Sequence, residues 1–161
     1  VPMIKSVITD VRRIIRNLRP TILDNLGILA AIEWQCQQFN SVYADIQVEK
    51  KLEVADHRVP EGLKTTILRL VQESLNNAGK HSGAGKISIS LRRQDGRLIL
   101  EITDDGCGFE PESGRGAEQT HSSLGLFGMK ERAQLSGAAF SIDSVPGRGT
   151  QITASWQADS A

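Results

Sequence analysis

The amino-acid sequence predicts an α+β fold: a two-layer α/β sandwich, helices packed on one face of a mixed, mainly antiparallel sheet, with an N-terminal helix projecting from it. Three observations carry this. Apolar residues recur at helical spacing in the first, second and third segments, and the period drops to two across Ile87–Ile102 and again across Phe140–Trp156. Asp95-Gly96 and Pro146-Gly147-Arg148-Gly149 are turn signals that join neighbouring strands. Helices and hairpins are mixed without strict βαβ alternation, which points to helices gathered on one side of an antiparallel sheet.

Taken in order, Ile4, Val7, Ile8, Val11, Ile14, Ile15 and Leu18 form one helical stripe, with Arg12, Arg13, Arg16 and Arg19 off it. Pro20 ends that helix near Leu18 or Arg19, because the residue before proline avoids helical geometry. Such a stripe needs a partner, either the domain behind it or the other helices of a bundle. Val1 falls within a helix already under way, so the chain reads as a piece of a longer protein. A second helix is expected from about Leu26 to Asn40, with Leu29, Ile32, Gln35/Cys36 and Phe39 inward. Residues 46–49 alternate as a short strand. A third helix starts at Pro60, where a missing N–H costs nothing, and runs to about Lys80 on Leu63, Ile67, Leu70, Val71, Ser74, Leu75 and Ala78. Strands follow around Ile87–Leu91 and Leu98–Ile102. Residues 104–123 read as a loop rich in Gly, Ser and acids, then comes a helix over 124–135, then two closing strands.

The 161 residues suit one compact domain. Lys plus Arg equal Asp plus Glu at 19 each, so no bulk basic footprint invites nucleic acid or an anionic membrane. Aromatics are only 4%, which argues against stacking platforms for single strands. Cys36 and Cys107 are too few for a disulfide framework or a four-thiolate metal site, and a reduced, cytoplasmic setting fits them. No apolar run approaches the roughly 20 residues of a membrane span. No nucleic acid and no direct membrane contact are therefore expected.

Chemistry concentrates in three places. On the third helix, Glu73 and Asn77 are four apart and stack on one face, and Lys80 continues the row towards His81. A carboxylate, an amide and a cation in line suit a metal-bound phosphate; the plainer alternative is a solvated helix face. After the first hairpin comes Asp104-Asp105-Gly106-Cys107-Gly108-Phe109. A carboxylate at a strand end accepts hydrogen bonds from a ligand donor such as an exocyclic amine, and spaced glycines allow close approach; an ordinary turn has the same composition. Leu124-Gly125-Leu126-Phe127-Gly128-Met129-Lys130-Glu131-Arg132 opens a helix whose free N–H groups would form an anion site. It is neither a Walker loop nor a dinucleotide fingerprint. Gly147, Gly149 and Thr150 close the series. Each signal is modest, but chance rarely sets all of them in this order in one short domain.

The composite resembles the ATP-binding domain of the GHKL superfamily, with the Bergerat-type ATPase fold. Within it, the match is to sensor histidine kinases that pair with response regulators of the NarL/FixJ type. Val71 through His81 looks like that class's N box, and Gly125 through Arg132, with its GMKER wording, like its second glycine box. Leu18-Arg19-Pro20, with Leu23-Asp24 and Leu26-Gly27-Ile28, looks like the junction between dimerisation helices and ATPase domain. The resemblance runs from about Arg12 to Trp156.

It implies a division into residues 1–20, the second helix of a dimerisation bundle, and residues 21–161, the catalytic domain. It implies that Asn77 coordinates Mg²⁺ bridging the phosphates of ATP, and that Glu73 holds a metal-bound water or assists phosphotransfer. Lys80 would contact phosphate and His81 line the nucleotide. Asp104 would accept the adenine amino group, with Gly106 and Gly108 letting the strand end approach the base. Gly125, Leu126, Gly128 and Met129 would border phosphates and adenine, and Thr150 would reach the adenine side through water. Residues 110–123 would form an ATP lid. The implied partners are a second copy through the bundle helices and a response regulator, and the implied product is ADP. Gly79 departs from the larger apolar residue usual at its position, and Asp105 from a frequent Asn. His57, His81 and His121 are followed by Arg58, Ser82 and Ser122, not by the acid that accompanies a phosphoacceptor. The fragment is therefore expected to bind nucleotide without phosphorylating itself. A serine-kinase anti-sigma factor of the same superfamily and a nucleotide-free docking module are the rival readings; the N-terminal stripe and GMKER oppose the first, the intact motifs the second.

Overall fold

A computed structural model describes residues 21–110 and 121–158, the side chains of residues 121–123 apart. The N-terminal stripe Ile4–Leu18 and most of the expected lid lie outside the described residues. The element order is α1 (Thr21–Val42), β1 (Gln47–Glu53), a 3₁₀ turn (Asp56–Arg58), α2 (Glu61–Asn77), a π turn (Ala78–Ser82), β2 (Lys86–Gln94), β3 (Arg97–Asp104), α3 (His121–Leu135), β4 (Ala139–Val145) and β5 (Gly149–Gln157). The five strands form one sheet in the order β1-β2-β3-β5-β4. β1 and β2 run parallel and the other pairings are antiparallel. This is the expected α+β sandwich.

The sheet turns one face to the helices. Ile87, Ile89 and Leu91 of β2, Leu98, Leu100 and Ile102 of β3, and Ile152, Ala154 and Trp156 of β5 are buried at alternate positions. They meet Ile28, Ile32 and Cys36 of α1, Ile67, Leu70, Val71 and Leu75 of α2, and Met129 and Ala133 of α3. Trp156 satisfies its buried indole N–H by donating to Ser136 Oγ at 2.9 Å. The Asp95-Gly96 turn has φ of 50° and 74°, the pair of positive values that a tight twisted hairpin requires.

Three departures from the sequence reading have physical causes. The second helix begins earlier, at Thr21, and breaks at Gly27, where φ is 87° and ψ −178°. Asp56 restarts it from a distance: its Oδ1 accepts the N–H of Ile28 at 2.6 Å and of Leu29 at 3.3 Å, as an N-cap does. Asp56 Oδ2 in turn meets Lys64 Nζ at 2.7 Å, which pairs a lysine that is only 8% exposed. The strand read at 46–49 extends to Glu53 because the whole stretch pairs with β2 from Lys86 to Arg92. The last helix starts at His121, not Leu124, so the loop after Asp104 is shorter than read.

Candidate functional site

Glu73, Asn77, Asp104, Gly106, Gly108, Gly125 and Thr150 gather at one end of the sandwich, where α2 finishes, β3 finishes and β5 begins. α2 buries Ile67, Leu70, Val71, Ser74 and Leu75 and leaves Glu73 and Asn77 half-buried on its flank. Gly125 of α3 lies directly against this pair. A Cβ built on Gly125 would collide with Glu73 Oε1 and sit 3.7 Å from Asn77 Oδ1. Asn77 Nδ2 is buried and has no hydrogen-bond partner among the described residues. A buried donor left unmatched costs about 1–3 kcal/mol, so an acceptor supplied by a ligand is its natural complement.

Past Asn77 the helix widens into the π turn. Single π turns often mark functional positions, and their wider winding shifts every residue beyond them. Lys80 therefore does not continue the Glu73–Asn77 row as straight α-helical spacing predicts. Lys80 and His81 are both exposed on the turn. Gly83, with φ of 60°, ends it. Ser82 ties the turn down: its Oγ donates to Ala78 O at 2.8 Å and accepts the Ala84 N–H at 3.1 Å.

Across from the turn, β3 delivers Asp104. Its Oδ1 accepts the Gly106 N–H at 2.9 Å, and the Thr150 N–H also donates to its carboxylate. Burial pushes the Asp104 carboxyl above its ordinary value; the Gly106 N–H opposes this, the neighbouring Asp105 charge adds to it, and the Thr150 N–H opposes it again. Asp105 spends its own Oδ1 on the N–H groups of Gly85 and Lys86, at 2.9 Å each, and so fastens the start of β2 to this loop. Gly106 is buried against Ser82, and the Cys107 N–H donates to Ser82 O at 2.7 Å. Gly108 backs onto the turn between β4 and β5, near the carbonyls of Val145 and Gly149. Thr150 pairs with Asp104 across the β3–β5 ladder, and its Oγ1 lies 2.9 Å from Ser144 Oγ.

α3 contributes unevenly. Gly125 faces Glu73, and Leu126 packs partly buried against the core. Met129 is fully buried within the core. Gly128 opens instead into a groove shared with Gly62, Thr66, Glu131 and Arg132, towards the other end of α2. The glycines do not open the helix, since His121 starts it, so the free N–H groups of its first turn precede Gly125. Sequence reasoning missed Ser144. It is buried, accepts the Phe109 N–H at 2.9 Å and bonds Gly149 and Thr150, locking the loop after Asp104 to β5. The available signal was a polar residue at the next inward position after Phe140 and Ile142.

Together these features set a half-buried carboxylate at the end of β3, an unmatched amide at the end of α2, and an exposed lysine on the turn that follows. Comparison with known proteins gives the same class. Residues 62–160 match the family described as "Histidine kinase-, DNA gyrase B-, and HSP90-like ATPase", and the chain belongs to it. It is 36% identical over 151 residues to the oxygen sensor histidine kinase NreB of Staphylococcus carnosus, covering 94% of this chain and 42% of NreB. It is 34% identical over 150 residues to the signal transduction histidine-protein kinase/phosphatase DegS of Brevibacillus brevis, covering 93% of this chain and 37% of DegS. The chain thus spans about two fifths of these curated relatives. Among solved structures, the Acinetobacter baumannii histidine kinase AdeS superposes with a TM-score of 0.65 at 18% identity, over 98% of this chain and 84% of that one. The mycobacterial sensor histidine kinase MprB gives 0.58 at 25% identity, over 78% and 90%. The domain is thus an ATP-binding module related to the catalytic domains of sensor histidine kinases. No helix among the described residues is long and apolar enough to cross a membrane.

Proposed function

We propose that this chain is the ATP-binding catalytic part of a two-component sensor histidine kinase. It passes the γ-phosphoryl group of Mg-ATP to a histidine on a dimerisation helix outside this sequence, for relay to a response regulator of the NarL/FixJ type. Residues 1–20 are the second helix of that bundle, through which the full protein forms a homodimer, and residues 21–161 are the catalytic domain, working in the cytoplasm.

The observation that carries this reading is Asp104. A carboxylate is kept half-buried at a strand end although burial disfavours its charge, and backbone N–H groups hold it in place. That cost is understandable if the carboxylate receives a ligand donor, and the adenine amino group is one. A guanine presents an acceptor at the equivalent position, so ATP is selected over GTP. At the opposite side, the unmatched Asn77 Nδ2 suits a phosphate oxygen, and the Asn77 Oδ1 could take a hydrated Mg²⁺, which needs few protein ligands. When bound, Mg²⁺ supplies charge neutralisation on the phosphate oxygens. Lys80 adds a point charge, Glu73 would hold a water of the bound ion or assist the transfer, and His81, Gly106, Gly108, Gly125, Leu126 and Thr150 line the nucleotide. Gly128 and Met129 shape the helix behind them. Positioning and charge do the work, with no covalent chemistry asked of this domain.

The test is calorimetric titration of ATP with Mg²⁺ into the chain and into Asp104→Ala, with GTP as control. Losing a hydrogen bond to a charged group is worth about 1.5–3 kcal/mol, so the variant should bind ATP roughly 10- to 150-fold more weakly. Equal affinity for ATP and GTP, or an unaffected variant, would remove Asp104 from the adenine site.

A further inference from the structure

The π turn that carries Lys80 and His81 is held from both sides. On one side the loop after Asp104 grips it, through Cys107 N–H to Ser82 O at 2.7 Å and Cys107 Sγ to His81 O at 3.5 Å. On the other side lies something the motifs do not contain. Phe39 in the last turn of α1 and Tyr43 just past its end stack with ring centroids 4.8 Å apart and planes 28° from parallel. The pair rests on the bare backbone of Gly79. A Cβ there would lie 2.6 Å from Tyr43 Cε2, 2.7 Å from Tyr43 Cζ and 2.9 Å from Phe39 Cε2, all closer than real contacts allow. Phe39 is only 7% exposed and anchors the stack in the core, while Tyr43 is half-buried against the turn. The glycine and the aromatic pair therefore fit each other, immediately before the exposed lysine. A π turn is a rare, wide winding, and a rigid stack seated on its backbone fixes which way its next residues point.

We infer that Tyr43, stacked on Phe39 and seated on Gly79, is a positioning residue for the phosphate side of the nucleotide site. It sets where Lys80 and His81 stand, and so governs affinity for the phosphates while leaving the Asp104 side untouched. The inference rests on the proposed reading of Lys80 as a phosphate ligand.

ADP and adenosine, with Mg²⁺ present, separate the two sides of the site. They are titrated calorimetrically into the 161-residue chain and its Tyr43→Ala, Tyr43→Phe, Tyr43→Leu and Lys80→Ala variants, with thermal melts to confirm folding. Tyr43→Ala is expected to weaken ADP about tenfold, the worth of one charge-assisted contact, and to leave adenosine within about twofold of wild type on the same scale. Tyr43→Phe keeps the ring and should restore ADP binding. Tyr43→Leu keeps bulk without the flat ring; should the alanine variant not fold, it carries the test with the same selective loss of ADP. A purely structural role predicts parallel losses of ADP and adenosine, and that result overturns the inference. If Lys80→Ala weakens ADP but Tyr43→Ala and Tyr43→Leu do not, the positioning role is wrong while the phosphate reading stands. If Lys80→Ala leaves ADP unchanged, the phosphate reading itself fails and takes the inference with it.

Discussion

Replacing Asp56 with alanine should unfold the chain several degrees earlier, although Asp56 lies in no recognised motif. Its carboxylate does two jobs. Oδ1 caps the restarted half of α1 at Ile28 and Leu29, and Oδ2 pairs with Lys64 at 2.7 Å. Loss of an N-cap costs about 1 kcal/mol. Removing one partner of a fully buried ion pair costs roughly 3–5 kcal/mol. Here the Asp56 side chain is 34% exposed and Lys64 keeps Glu61 at 3.0 Å, which reduces that part to about 1–2 kcal/mol. The sum is about 2–3 kcal/mol, and at roughly 3 °C per kcal/mol for a chain of this size Tm falls by about 6–9 °C. Urea melts and calorimetry of the two proteins measure it. Lys64→Met in the Asp56→Ala background should recover part of the loss, because it removes a buried cation left with only the exposed Glu61 as partner. A loss below about 1 kcal/mol, or no recovery in the double variant, would refute the argument. The pH window follows from the signs. The Asp56 pKa is lowered: burial alone would raise it, but the Lys64 contact and the N–H groups of Leu29 and Ile28 more than offset that. Its contribution is present above the ordinary value of 3.8 and is lost as pH falls through the lower folded value. The Lys64 pKa is raised, chiefly by its hydrogen bond to Asp56, so its contribution persists up to 10.5 and is lost as pH climbs through the folded value. The clasp is thus constant across the neutral range.

Further outcomes follow from the site. Asp104 has the opposite sign: its raised pKa favours the unliganded fold at low pH, and that contribution is lost as pH rises through the folded value. ADP affinity should therefore gain an acid-side decline from Asp104 protonation above the ordinary 3.8, and Asp104→Ala should weaken that dependence in calorimetry, leaving the part due to the nucleotide's own phosphate. Gly149 has φ of 83°, and a Cβ there would strike the Asp104 carbonyl. Gly149→Ala should cost more than about 2 kcal/mol in denaturant melts, beyond the left-handed strain alone. Cys107 is exposed while Cys36 is buried, its thiol pushed up to about 11 mainly by burial. One thiol should alkylate rapidly in the native chain and the second only on unfolding; two fast thiols by mass spectrometry would contradict the packing. Incubation with radiolabelled ATP should leave no phosphohistidine on this chain, since none of its three histidines is followed by an acid.

The residues divide clearly between what their neighbours in sequence decide and what distant neighbours decide. α2, the β2–β3 hairpin and the β4–β5 turn were legible. A 3.6 or 2.0 period, a proline at a helix start and an Asp-Gly turn act through sterics within a few residues. The motif residues Asn77, Asp104 and Gly125 were legible for the related reason that their spacing on a helix or at a strand end already places them. Other features depended on partners far along the chain. Asp56 caps a helix 28 residues earlier. β1 lengthens because it finds β2, and lies parallel to it only because α2 carries the chain back across the sheet. Met129, read beside Gly128 as part of one binding box, is drawn into the core, and Gly128 turns to a groove elsewhere. Gly79, legible only as an odd residue in its motif, becomes intelligible once the rings of Phe39 and Tyr43 are seen on its backbone. The sequence by itself determined the elements, the order of the motifs and the kind of chemistry they suit. Tertiary structure alone decided which of those residues face one another, because close packing admits one arrangement of side chains and local periodicity does not specify it.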